Sequence, residues 1–137
     1  MLLVAALLAL LVPRSEKSRP VAWRSLPVGQ LQISFQERRL FRDHGQLARY
    51  LALAGGTRTP KVDFARRQLL LLTTGARSSS GYAIDVLGAT ERGDTITVEV
   101  RERAPGLGER VDPHVTYPYR LISLPAGKSV FVDWLGR

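Results

Sequence analysis

Leu69-Leu70-Leu71-Leu72-Thr73-Thr74-Gly75-Ala76-Arg77-Ser78-Ser79-Ser80-Gly81-Tyr82-Ala83-Ile84-Asp85-Val86 decides how this chain folds. Four consecutive leucines cannot alternate between water and a core. A short apolar run bounded by turn residues reads as a strand covered on both faces. Gly75 to Gly81 is polar and rich in small residues, so it reads as a crossing. Beyond it the period becomes two: Tyr82, Ile84 and Val86 share one face, while Ala83, Asp85 and Leu87 share the other. Glu91-Arg92-Gly93-Asp94 is a turn, because Gly93 tolerates the positive φ of a tight hairpin. The chain returns through Thr95 to Arg101, with Ile96, Val98 and Val100 facing the same way as Tyr82, Ile84 and Val86.

Downstream, Ala104 to Thr116 carries Pro105, Gly106, Gly108 and Pro113 and reads as a long irregular loop, a place where function often sits. Tyr117 to Leu124 alternates as a strand, and Pro118, which has no N–H to donate, puts its start at an edge or bulge. Pro125 to Lys128 is a turn, and Val130 to Trp134 is a last short strand. Upstream, Leu31, Ile33 and Phe35 alternate with polar residues as a half-buried strand, which Arg39 to Arg42 extend or pair with. Asp43 is placed to cap a helix, with Gln46 at capping-box spacing. Leu47, Tyr50, Leu51 and Ala54 then make an apolar stripe, and Gly55-Gly56 closes it. These elements give a mainly β (α+β) class: a small antiparallel β-sandwich or open barrel carrying one helix.

Leu2 to Val12 is an unbroken apolar run stopped by Pro13. It is shorter than the roughly 20 residues that cross a bilayer and suits the core of an export signal. No Lys or Arg precedes it, and no clear Ala-x-Ala follows it. Residues 1–19 therefore read as a signal-like or anchoring segment with its linker, through which alone the chain meets a membrane. Residues 20–137 read as one β-rich domain, and Arg14 to Pro27 as linker up to Trp23. The expected location is the cell envelope, periplasm or exterior.

The chain has no cysteine, which excludes disulfides, thiolate metal sites and a cysteine nucleophile. Its net charge of +8 comes mostly from arginine. These arginines are spread through every segment, with Arg38-Arg39 and Arg66-Arg67 as the adjacent pairs, so most of the charge is solvated surface. Ser78 to Ser80 lack the rigid Gly-x-Ser-x-Gly setting of a nucleophile. Two histidines in widely separated segments make a weak metal case. Gly75 to Gly81 has the composition of an anion cradle but not a P-loop's ending. Tyr82, Tyr117, Tyr119 and Trp134 among arginines are the residues from which a platform for single-stranded nucleic acid would be built. No enzyme and no cofactor are expected.

From Val62 to Leu124 the chain resembles the C-terminal domain of the PrcB family of protease-complex subunits. Val62-Asp63-Phe64, the apolar strand ending at Gly75, and Ser80-Gly81-Tyr82-Ala83-Ile84 carry the resemblance. So do Val98 to Glu102 before Ala104-Pro105-Gly106, and Thr116-Tyr117-Pro118-Tyr119 leading to Leu124-Pro125. The resemblance implies an exported, non-catalytic domain that binds or stabilises a protein partner, in the namesake case a cell-surface protease. The lipid anchor of such proteins does not carry over to a chain without cysteine. The alternative is a binder of an anionic ligand or nucleic acid through an arginine-rich loop face.

The two loops flanking the central hairpin leave it at the same end, since antiparallel neighbours start and finish side by side. They place Arg77, Ser78, Ser79, Ser80, Arg110, His114 and Tyr117 as candidate binding residues on one rim. Arg77 and Arg110 stand there as exposed cations whose exchange for Glu spares stability.

Overall fold

The computed structural model describes residues 17–136. The apolar run Leu2 to Val12 lies outside the described residues. Two four-stranded sheets pack face to face without closing into a barrel. One has the order β1-β5-β6-β8, formed by Arg19–Pro20, Ala83–Arg92, Thr95–Arg103 and Ser129–Leu135. The other has the order β2-β7-β4-β3, formed by Arg24–Ser25, Tyr119–Pro125, Arg67–Thr74 and Gln36–Phe41. The helix α1, His44–Leu53, lies on the outer face of the second sheet.

The leucine run explains this layering. In β4, Leu70 and Leu72 point between the sheets and meet Ile84, Ile96, Val98 and Trp134. Leu69 and Leu71 point the other way and meet Leu47 and Leu51 of α1. A strand in that position needs apolar residues on both faces. The helix is closed at both ends as its residues dictate. Asp43 accepts from the Gln46 N–H at 3.0 Å. At the other end Gly55, at φ 88°, lets the Gly56 and Gly55 N–H groups bond the Leu51 and Ala52 carbonyls.

The hairpin β5–β6 turns at Gly93, φ 58°, with Arg92 opposite Thr95. A bulge at Leu87 re-phases the strand, so that Ile84, Val86 and Ala89 face the same core as Ile96, Val98 and Val100. Leu87 itself is turned out to solvent. Tyr82 falls one residue before β5 and is half-buried, so it does not open the core face as the period implied. Tyr82→Ala should therefore cost about 1–2 kcal/mol in denaturant unfolding, not the larger loss of a core aromatic.

Three further expectations change. Leu31 and Ile33 are buried, but residues 30–35 form no ladder, and the strand is displaced to Gln36–Phe41. The alternation is there because this segment lies against the helix end, where the Gln32 N–H reaches the Ala54 carbonyl at 2.8 Å. From Arg19 onward, the region read as linker already belongs to the fold. Arg19 pairs with Glu91, Val21 is buried, and Arg24 pairs with Ser123, so the chain crosses from one sheet to the other there. Finally, β8 departs from the antiparallel pairing expected of the sandwich. It crosses to the other sheet and runs parallel to β6, with Ile96 opposite Val130 and Val100 opposite Trp134.

That corner is held from inside. Gln68 is buried, and its amide donates to the carbonyls of Pro125 and Lys128, both at 2.9 Å. Lys128 in turn donates to Glu91 at 2.6 Å. This bond holds the Glu91 carboxyl below its ordinary value, so its contribution is present at neutral pH and lost as acid titrates that lowered group.

Candidate functional site

The loops after β4 and after β6 do meet. Arg77 and Thr116 form an isolated antiparallel bridge, with N–H to carbonyl distances of 2.8 and 2.9 Å. The Ser80 N–H donates to the Asp112 carbonyl, and the Asp112 N–H donates back to Ser80 Oγ at 2.8 Å. The Thr116 hydroxyl donates to the Ser79 carbonyl at 2.8 Å. The rim is therefore one braced structure and not two independent loops.

Bracing uses up part of what sequence offered for binding. The Arg77 guanidinium is bidentate on Glu102, at 2.5 and 3.0 Å, and also donates to the Ala76 carbonyl. The pair is mostly shielded, at 23% and 16% side-chain exposure. The Glu102 bond holds the Arg77 cation above its already high value. Arg77 is thus an internal strut, and exchanging it for Glu does not spare stability. Ser79 and Ser80 are half-buried and serve the bridge, whereas Ser78 stays exposed. This leaves Gly75–Gly81 without the free cation that an anion cradle requires.

Gly81 is a fold residue. Its φ is 92°, and a Cβ there meets Pro105 Cγ at 2.9 Å and Val111 Cγ1 at 3.2 Å. The absence of a side chain lets the two loops close on each other. Gly81→Ala combines a strained φ with contact against a rigid ring. It should cost about 2–4 kcal/mol, read as a lowered denaturation midpoint. A wild-type midpoint would mean that the loops part without penalty.

What the rim shows to solvent is the 106–115 segment. Arg110 and His114 are exposed, and so are Leu107, Val111 and Val115. The apolar three were not among the residues singled out from sequence. An isolated Leu or Val in a loop carries no periodicity, and only the fold shows that it has no core to enter. Next to the rim lies a cleft of about 340 Å³, lined by Gln30, Gln32, His114, Val115, Tyr117 and Tyr119 among others. The Tyr119 hydroxyl ties its wall together by donating to the Gly29 carbonyl at 2.6 Å. His114 and Tyr117 both line this cleft, whereas Arg110, on the same loop as His114, is not part of its lining.

The aromatic residues do not form a stacking platform. Trp134 is buried between the sheets under Arg38, while Tyr119 lies on the opposite sheet with its hydroxyl engaged. Ser80 and His114 both contact Asp112, but through backbone atoms of Asp112 and not through its carboxylate. Among the described residues no group of three His, Asp or Glu side chains gathers to hold a metal ion. No helix among them is long and apolar enough to cross a membrane.

Neither the curated proteins nor the solved structures give a match to this chain. Residues 69–125, which span most of β4 through β7 and both halves of the rim, match the family model described as PrcB C-terminal, and over that segment the chain is similar to that family.

Proposed function

We propose that this protein is a non-catalytic protein-interaction domain, an accessory or stabilising subunit of a protease complex in the cell envelope. The carrying observation is that the matched segment contains the whole braced rim, whose exposed Leu107, Arg110, His114 and Val115 side chains make no hydrogen bond or ion pair among the described residues. Contiguous apolar and cationic side chains on a rigid base suit protein docking, because little conformational freedom is lost on binding. In this reading the Leu2 to Val12 run directs export, which places both partners outside the cytoplasm.

Capture from the organism's own envelope extract tests the proposal. The combined Leu107→Ser and Arg110→Glu variant should keep its unfolding free energy within about 0.5 kcal/mol, since both sites are exposed. It should also lose most of the protease recovered by wild type. Equal recovery moves the docking surface elsewhere. A wild-type capture without any protease sinks the protease-complex reading. Residues 1–19 fused to a reporter active only after export should yield signal, and silence removes the export assignment.

A further inference from the structure

The open edges of the two sheets are not equivalent. On β8, the Arg38 guanidinium reaches across the mouth of the sandwich, donates to the Val132 carbonyl at 3.2 Å and lies 5.6 Å from the Trp134 ring centre. β1 and β2 are two residues each and are continuous through Val21 to Trp23. β3 is longer, six residues, and among the strands of the described residues it pairs with β4. On its other side the backbone of residues 37–41 makes no hydrogen bond among the described residues.

A groove follows that edge. Two adjoining hollows of about 220 and 380 Å³ share Tyr50 and Leu53. The first is floored by Ile33, Phe35 and Ala54, and Phe35 and Leu53 are exposed there. The second carries Arg39 and Arg49. Glu37 is already engaged: it accepts from Arg39 at 2.6 Å and from the Tyr50 hydroxyl. Arg49 is the further cation of this groove, so its charge is in positive excess.

We propose that β3 is a docking edge for an extended, acidic and apolar segment of a partner protein, which adds as a further strand and sets alternate side chains into the groove. Each part of the occupant follows from what it meets. An open backbone edge selects an extended chain, and pockets beside it select every second side chain. The Phe35–Leu53 floor takes apolar groups, and Arg39 with Arg49 takes carboxylates. A second copy of this chain is the poorer occupant. Two-fold antiparallel self-pairing centred on β3 sets Arg38 against its own copy or Arg39 against its own copy, and like charges opposite one another are destabilising. This edge rests on the same premise of a protein partner as the rim, and it lies on a different face.

The probe is a short fluorescent peptide alternating valine and glutamate, titrated into the protein by anisotropy. Binding should protect the backbone amides of residues 37–41 from hydrogen exchange. The same peptide N-methylated at alternate positions, and its lysine counterpart, should each bind at least about tenfold more weakly. Leu53→Glu and Arg49→Glu, both at exposed sites, should weaken the parent peptide about tenfold. The Leu107→Ser and Arg110→Glu variant should bind it as wild type does, so failure here and failure at the rim are separable. Absence of binding means an edge merely guarded by its arginines and overturns the proposal. Equal binding of the methylated peptide, protection confined to other strands, or a concentration-dependent dimer that excludes the peptide overturns it as well.

Discussion

Leu51→Ala should lower the free energy of unfolding by about 2–5 kcal/mol, and Leu53→Ala, two residues further on, by less than about 0.5 kcal/mol. The two leucines share a helix and a side-chain chemistry, but Leu51 is 1% exposed and Leu53 is 91% exposed. Leu51 packs with Leu47 against Leu69, Leu71 and Leu121, so its loss opens a cavity on the outer face of the central strand. That cavity is hard to close. Asp43 fixes one end of α1, and the paired bonds at Gly55 and Gly56 fix the other. Urea titration of the two variants beside wild type measures the contrast. Equal midpoints for both would mean that the helix is not part of the cooperative unit.

Arg77→Glu should cost about 2–4 kcal/mol at neutral pH, although it lies in a loop. It removes both bonds to Glu102 and sets a second carboxylate against the first in a shielded place. Two facing carboxylates raise each other's proton affinity above that of the unfolded chain. Protons then bind the folded variant more readily, so its deficit should shrink as pH falls into the carboxylate range and be greatest above it. Adding Glu102→Arg should restore part of the loss by rebuilding the pair in reverse. A single variant as stable as wild type at neutral pH would show that the Arg77–Glu102 pair does not hold the rim.

Much of the fold was legible because periodicity reports burial directly. The doubly covered leucine strand, the hairpin turning at Gly93, and the helix capped by Asp43 and closed at Gly55 each follow from neighbours in sequence. What failed to show depended on distant partners. Leu31 and Ile33 alternate as a strand does, but the surface they meet is a helix end, and alternation alone does not name the partner. The parallel placement of β8 leaves no local mark, since its turn resembles that of a hairpin. At the rim, the meeting of the two loops followed from hairpin geometry. The role of Arg77 did not, because nothing near it in sequence announces Glu102 as its partner.

The crossing of β8 to the far sheet separates the order in which the chain is made from the order in which its strands lie. β6 gains its second neighbour only after β7 has been placed in the opposite sheet. When synthesis has reached Pro125, the chain holds a β5–β6 hairpin whose Thr95–Arg101 edge lacks its later partner. Such an edge templates pairing with other nascent chains, and non-local partners arrive slowly. The hazard of this topology thus falls on the newborn protein, and an escort that masks β6 until residue 135 is available should raise the yield of folded molecules without altering their final stability.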